Sequence, residues 1–141
     1  MDDILRAYLA GCMDCDGSFT IKTKPYKNTR YHLPRVAFWQ TKPQIVAILH
    51  RGFGGSVRQV ERKPPAKNQY AWEATYKAAV SLCKAVLPYL VLKRRQAEIL
   101  IELDQSMSRS YSNPGIPSVV VALRCALHDE IRRLNKKGRH D

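Results

Sequence analysis

The side chains best suited to chemistry are concentrated in residues 8–19 of this 141-residue chain. Cys12 and Cys15 form a C-x2-C pair, a common spacing of zinc ligands, but no second pair and no nearby pair of histidines accompanies them. Two carboxylates, Asp14 and Asp16, flank Cys15 in the same stretch. Carboxylate oxygens suit hard cations such as Mg²⁺. The stretch is therefore a candidate for carboxylate chemistry rather than for a zinc site.

The remaining cysteines and the histidines show no ligand-like spacing. Cys83 and Cys125 stand alone in apolar helical patterns, so the sequence predicts small, buried and reduced thiols instead of a disulfide framework. The histidines are predicted to be bystanders: His32, His50, His128 and His140.

A predicted first helix carries the stretch. Asp2 and Asp3 suit its start, where the helix dipole favours acidic side chains, and the helix is predicted to run to about Cys15 and stop at Gly17. At about 100° per residue the helix has two distinct faces. The apolar face is predicted to pack on the protein's own sheet and consists of Leu5, Leu9, Cys12 and Met13. The opposite stripe is small enough for a second helix to approach closely and consists of Ala7, Ala10, Gly11 and Asp14.

Alternating and helical patterns organise the rest of the chain into an α+β domain. Strand alternation is predicted over residues 18–24, 32–40, 56–62 and 69–75. Helical periodicity is predicted over residues 42–51 (ending at Gly52), 77–87 (closed by Pro88), 93–107 and 118–135. A loop at 108–117 and a frayed basic tail at 136–141 complete the chain. The predicted order is αββαββα followed by two further helices, in one domain covering residues 1–141.

Charge indicates the kind of partner. The chain carries 24 Lys and Arg against 12 Asp and Glu, a formal net charge of +12, and residues 17–63 hold ten basic residues but one acid. Because each predicted strand has one polar or basic face, this excess predicts a polyanionic partner, with nucleic acid first. No apolar run reaches the roughly 18 residues that span a bilayer, and neither a signal-peptide core nor a basic amphipathic helix stands out. The sequence therefore disfavours a membrane protein.

Residues 9–17, LAGCMDCDG, resemble the nine-residue signature of the LAGLIDADG homing endonucleases. The resemblance extends over residues 4–135 through the order of elements, the basic strand faces, the Ser18-Phe19 pair and the segment at 88–97. It implies a saddle-shaped, four-stranded antiparallel sheet with extra C-terminal helices. Family members with two signatures are monomers of roughly twice this length. One signature therefore implies a homodimer in which the small-residue stripe packs against its copy across a two-fold axis, and the alternative is that the stripe packs within one chain.

The resemblance also implies the active-site residues. Asp16 corresponds to the metal-binding acid of the signature, with the backbone carbonyl of Cys15 as a supplementary ligand. Mg²⁺ is the implied cofactor; Mn²⁺ is expected to substitute, and Ca²⁺ is expected to bind without supporting cleavage. Lys93 and Gln40 match the lysine and the polar residue that contact active-site water in the family. Gln44 stands where the family often has a basic residue.

Sequence-specific contacts are predicted on the strand faces that point away from the core. A two-stranded ribbon fits the major groove of DNA, where the base edges can be distinguished. Arg35, Arg58 and Arg62 suit guanine, Gln69 suits adenine and Glu73 suits cytosine. The complete predicted DNA-binding set is Thr20, Lys22, Lys24, Tyr26, Arg35, Ala37, Ser56, Arg58, Arg62, Gln69, Ala71 and Glu73.

These features predict a site-specific endonuclease of double-stranded DNA. It is expected to act as a homodimer on a long, near-palindromic site, to leave a staggered cut, and to be the intron-encoded enzyme of a mobile element. The reduced thiols predict a reducing compartment with access to DNA, whether cytoplasm, nucleoid or organelle. The alternatives are an RNA-splicing maturase or DNA-binding regulator on the same scaffold, and an unrelated basic interaction protein. For Asp14, a structural role at the interface and a metal-related role both remain open.

Overall fold

The computed structural model describes residues 1–26, 29–107 and 115–136. The helices and strands follow one another as α1 (Asp3–Asp16), β1 (Gly17–Tyr26), β2 (Thr29–Gln40), α2 (Gln44–Phe53), β3 (Ser56–Val60), β4 (Gln69–Thr75), α3 (Tyr76–Val86), α4 (Arg94–Ser106) and α5 (Ser118–Leu134). A short 3-10 helix, Leu87–Tyr89, lies between α3 and α4. The predicted order, αββαββα followed by two further helices, is confirmed.

The four strands form one antiparallel sheet in the order β1-β2-β4-β3. β1 and β2 make a long hairpin, paired from Gly17 opposite Phe38 to Tyr26 opposite Thr29. β4 then pairs with β2 on one side and with β3 on the other. The helices cover one face of this sheet, here called the inner face, and the other is called the outer face. The predicted α+β class is confirmed.

The core lies between the inner face and the helices. Phe19, Val36, Phe38 and Trp72 point into it, and each is at most 1% exposed. Removing side chains of this size from water stabilises the fold by about 1.5–3 kcal/mol each. The indole N–H of Trp72 donates to the carbonyl of Gly54 at 2.8 Å, which joins β4 to the end of α2.

The first helix is fixed at both ends. Asp2 is its N-cap, and the carboxylate accepts the N–H of Leu5 at 2.8 Å. At the other end, Gly17 lies so close to the last turn that an added Cβ would come within 2.9 Å of the Met13 Cα. The predicted start and stop of α1 are therefore confirmed, and glycine at position 17 permits the close approach.

Several boundaries differ from the sequence prediction. The β1–β2 hairpin is longer at its distal end, because backbone pairing continues past the part of the strands that covers the core. α2 extends beyond Gly52, and Gly54, with φ of 77°, is the stop instead. β3 ends two residues before Arg62, because the N–H of Arg62 donates to the side chain of Asn68 at 3.0 Å rather than to a strand. Most of the predicted loop at 108–117 and of the predicted tail at 136–141 lies outside the described residues.

The last helix is fastened to its neighbours by polar side chains. Arg95 of α4 donates to Glu130 of α5 at 2.7 and 2.9 Å, and to Glu102 at 2.9 Å. Just beyond α5, the side-chain amide of Asn135 donates to the carbonyl of Phe19 in β1 at 2.7 Å. α5 has 17 residues, and no helix in the described ranges is long and apolar enough to cross a bilayer.

Candidate active site and nucleic-acid interface

The C-terminal end of α1 brings Asp16 next to the end of β2. Gly17 pairs with Phe38, so Gln40, two residues further along β2, lies beside the last turn of the helix. The amide nitrogen of Gln40 lies 3.4 Å from Asp16 Oδ2, and its oxygen accepts the backbone N–H of Thr41 at 2.8 Å. The Asp16 side chain is exposed. Two of the predicted catalytic residues are therefore neighbours, although 24 positions separate them in sequence.

Lys93, at the start of α4, contacts the same end of α1. It is the N-cap of α4, and its ammonium group donates to the carbonyls of Gly17 at 2.5 Å and of Met13 at 3.2 Å. A cation is favourable there, because the carbonyls at the C-terminus of a helix carry partial negative charge. The predicted cluster of Asp16, Gln40 and Lys93 is thus assembled around one end of α1.

Asp14 holds the start of α4 in place. Its carboxylate accepts three consecutive backbone N–H groups, from Val91 at 2.9 Å and from Leu92 and Lys93 at 3.0 Å each. The helix dipole favours a negative charge at this position. The structural role of Asp14 therefore lies within one chain, because its carboxylate binds the start of α4. Its predicted place in a dimer interface stays a prediction.

The exposed face of α1 coincides only in part with the predicted stripe of small residues. Ala7 and Gly11 are exposed as expected, but Ala10 is fully buried in the core of its own chain. Ala10 therefore has no surface left for a second helix, and its predicted place in a dimer interface is wrong. The exposed face consists of Ile4, Ala7, Tyr8, Gly11 and Cys15.

One chain supplies few metal ligands at the cluster. The exposed carboxylate of Asp16 and the adjacent carbonyl of Cys15 are oxygen donors of the kind that Mg²⁺ prefers. Within the described ranges, no group of three or more His, Cys, Asp or Glu side chains is placed to hold a metal ion. The donor chemistry therefore fits a hard cation, with one carboxylate from this chain.

On the outer face, a bidentate ion pair joins β2 to β4. Arg35 donates to the two oxygens of Glu73 at 2.7 and 3.0 Å, and the ammonium of Lys22 lies 3.6 Å from the same carboxylate. Hydrogen bonding to Arg35 lowers the pKa of Glu73 below its ordinary value. Two residues predicted to read bases therefore bind each other.

A second pair on the outer face joins an arginine to an aromatic ring. The guanidinium carbon of Arg58 lies 5.1 Å from the centroid of the Trp39 ring, within the range of a cation–π interaction. Trp39 was not among the residues predicted for this surface, although the alternation of β2 places it on the same side as Arg35. Ala37 and Ala71 lie on this face but are 1% and 3% exposed. Their predicted contacts with DNA are wrong, because both methyl groups are buried.

The other predicted DNA-binding residues vary in exposure. Lys24 and Ser56 are exposed, whereas Gln69 is half-buried. Thr20 is half-buried and its hydroxyl lies 3.5 Å from the carbonyl of Arg35. The exposed side chain of Arg62 lies beyond the end of β3, and the side chain of Tyr26 lies outside the described residues.

The histidines predicted to take no part in the chemistry differ in burial. His32 is buried, with its ring centroid 5.8 Å from that of His128. His50 is exposed, and His140 is outside the described residues.

All four cysteines are unpaired, as predicted. Only Cys83 is fully buried, which raises the pKa of its thiol. The prediction of uniformly buried thiols is wrong, because Cys15 and Cys125 lie on exposed helix faces.

Comparison with known proteins identifies the fold. No protein-family model and no curated protein matches the chain by sequence. The homing endonuclease I-CvuI, in complex with a DNA target in the presence of 2 mM Mg with the DNA not cleaved, gives a TM-score of 0.76 at 21% identity, over 99% of this chain and 87% of that one. An archaeal intron-encoded homing endonuclease complexed with DNA gives 0.73 at 16% identity, over 100% and 90%.

A larger protein matches over about half its length. The LAGLIDADG homing endonuclease I-GzeII, in complex with a DNA target, gives a TM-score of 0.66 at 15% identity, over 96% of this chain and 46% of that one. The chain therefore has the fold of the LAGLIDADG homing endonucleases, as the resemblance of residues 9–17 predicted.

Proposed function

We propose that the protein is a homodimeric, Mg²⁺-dependent endonuclease that makes a staggered cut at a long, near-palindromic site in double-stranded DNA. One observation carries the proposal. The fold brings Asp16, Gln40 and Lys93 together at the end of α1, although they come from three separate parts of the chain. A carboxylate, an amide and an ammonium group gathered at one helix end suit phosphodiester hydrolysis, which needs charge neutralisation and an oriented water.

The exposed face of α1 supports a dimer. Ile4 is 83% exposed and Tyr8 is 53% exposed on this face, and Val91, 81% exposed, lies beside its C-terminal end. Exposed apolar side chains of this size favour burial against another surface. If α1 packs parallel to its copy about a two-fold axis that runs along the two helices, each chain contributes the same face and the two Asp16 side chains lie at the same end of the interface.

Two Asp16 carboxylates and the neighbouring Cys15 carbonyls would then hold the divalent cation. When bound, Mg²⁺ supplies positive charge that stabilises the developing negative charge on the phosphate. Gln40 has an amide that can orient a water molecule beside Asp16. Lys93 contributes a positive charge fixed against the end of α1, where it needs no rearrangement during the reaction.

The outer face provides the surface for DNA. Lys22, Lys24 and Arg58 give it positive side chains, and the chain's net charge of +12 favours a polyanion over a large area. The solved structures of similar fold include several DNA complexes. We expect one half-site of the DNA on each sheet of the dimer, with the cleavage centre where the two α1 helices end.

The natural target can be found from the gene itself. Sequencing the DNA around the gene's insertion point and joining the flanks gives the junction without the insert, which is the expected substrate. Incubated with this duplex and Mg²⁺, the wild-type protein should make a staggered double-strand cut, Mn²⁺ should substitute, and Ca²⁺ should permit binding without cleavage. Asp16→Asn should lose activity by about 100-fold or more, whereas Asp129→Asn, an exposed change on α5, should cut normally.

Two outcomes would contradict the proposal. Normal cleavage by the Asp16→Asn protein would remove the assigned metal ligand. Tight binding of the junction by the wild-type protein without cleavage in Mg²⁺ or Mn²⁺ would favour a binding protein or an RNA-splicing maturase on the same fold.

A further inference from the structure

Trp39, Ala71 and Arg58 form a row across three neighbouring strands of the outer face. Ala71 in β4 is the pairing partner of both Trp39 in β2 and Arg58 in β3. The small methyl group of Ala71 leaves space between its two neighbours, and the Arg58 guanidinium lies over the Trp39 ring. The 3% exposure of Ala71 agrees with this arrangement, because directly paired neighbours flank it on both sides.

The two arginines on this face are held in different ways. Arg35 uses two of its five N–H donors on the carboxylate of Glu73, which also neutralises its charge. Stacking on an aromatic ring instead uses the positive charge of a guanidinium and leaves its N–H groups unoccupied. Among the residues that the structure describes, no carboxylate forms an ion pair with Arg58. An arginine held by a ring also loses less side-chain freedom when it binds a ligand.

We infer that Trp39 is a positioning residue for base recognition, which holds the Arg58 fork ready to donate to O6 and N7 of a guanine in the major groove. Paired N–H donors from arginine are the commonest specific contact with guanine. The inference rests on the proposed function, because it requires DNA on the outer face. It assigns one guanine in each half-site to the row of Trp39, Ala71 and Arg58, and it gives the Arg35–Glu73 pair a smaller part.

Selection from a random-sequence duplex library tests the inference without knowledge of the natural target. The protein would be incubated with the library in Ca²⁺, and the bound duplexes sequenced, for the wild type, Trp39→Leu, Trp39→Phe, Arg58→Ala and the Trp39→Leu/Arg58→Ala double variant. Gln59→Ala is the matched control, since Gln59 is exposed on β3 and alternates to the side opposite Arg58.

Arg58→Ala should reduce the preference for guanine at one position per half-site by about 5- to 150-fold. Trp39→Leu should reduce it at the same position by about 2- to 5-fold, and Trp39→Phe should retain part of it. Because Trp39 acts through Arg58, the double variant should show no greater loss than Arg58→Ala alone. The dependence of affinity on salt should not change in Trp39→Leu, because no phosphate contact is removed.

The inference would be overturned if Trp39→Leu lost base preference at positions other than the one that Arg58→Ala affects. It would also be overturned if the losses of Trp39→Leu and Arg58→Ala added up in the double variant. Thermal unfolding of each variant shows whether it is folded, and Trp39→Phe provides the comparison if Trp39→Leu is not. A wild-type protein that enriches no sequence would contradict the proposed function. A wild-type guanine preference that Trp39→Leu leaves intact would overturn only the role of Trp39.

Discussion

The end of α1 and the outer face of the sheet are both polar, but they are held together by different kinds of bond. At the end of α1, apart from the contact between Gln40 and Asp16, charged side chains bind the backbone: Asp14 accepts three N–H groups, and Lys93 donates to two carbonyls. On the outer face, side chains bind each other, as in the Arg35–Glu73 and Arg58–Trp39 pairs. The first arrangement belongs to the fold itself, whereas the second can change while the backbone stays the same.

The largest effect is expected at Asp14. In Asp14→Ala the three N–H groups that lead into α4 lose their charged acceptor, so the free energy of unfolding should fall by about 3 kcal/mol. Urea unfolding followed by circular dichroism measures this. Asp129→Ala, an exposed change on α5, should alter stability by less than about 0.5 kcal/mol. Equal stabilities of the two variants would mean that Asp14 does not hold α4.

Gly17→Ala should have the next largest effect. The new Cβ would come within 2.9 Å of the Met13 Cα, a backbone atom that cannot turn away, so the end of α1 must shift at a cost of about 2 kcal/mol. In Gly52→Ala the added methyl meets only the flexible end of Met1, and a helical alanine is favoured over glycine by about 0.5–1 kcal/mol. Denaturation midpoints should therefore move in opposite directions in these two variants.

Glu73→Gln should have a smaller effect, because it weakens a pair of side chains and leaves the backbone unchanged. We expect a loss of about 1 kcal/mol near neutral pH. The pKa of Glu73 is lowered in the folded state, so the stabilisation is fully present above the ordinary value of 4.5 and is lost as the pH falls through the lower folded pKa. The difference in stability between the wild type and Glu73→Gln should therefore shrink below about pH 4.5. A difference that grows on acidification would contradict this assignment.

Lys22→Ala should have the smallest effect on stability. Lys22 lies 3.6 Å from the Glu73 carboxylate and its side chain is about half exposed, so the loss should be a few tenths of a kcal/mol and should vanish in high salt. The same change should reduce the salt dependence of DNA binding if Lys22 contacts a phosphate. A stability loss as large as that of Asp14→Ala would mean that the two regions are not held differently.

The sequence was sufficient to predict what the backbone determines. The order of elements and the sheet followed from periodicity and from the resemblance over residues 4–135. The choice of Asp16, Gln40 and Lys93 followed from the resemblance alone. The partner of Asp14 was not predictable, because backbone N–H groups 77 to 79 positions away leave no pattern in the sequence. The burial of Ala10 shows the same limit, since the rotation of a helix about its axis depends on what it packs against.

On the outer face, alternation predicted which side chains share a side but not how they pair. Arg35 and Arg58 lie where the strand pattern placed them, yet one is bound by Glu73 and the other by Trp39. Those partners depend on the strand order β1-β2-β4-β3 and on the register, which brings residues from three strands into one row. Ala37 and Ala71 were misjudged for the same reason, because their coverage depends on cross-strand neighbours.

The hydrogen bonds of Asp14 and Lys93 have a practical consequence for the choice of an inactive variant. Asp14 of α1 binds the backbone at the start of α4, and Lys93 binds the backbone at the end of α1. Replacing Lys93 would therefore loosen this junction as well as remove the charge for which we propose a catalytic role. Asp16 is exposed and touches only the Gln40 amide in the contacts described above. Under the proposed function, a variant that binds its target without cutting it is therefore best made at Asp16, because this change leaves the contacts between α1 and α4 in place.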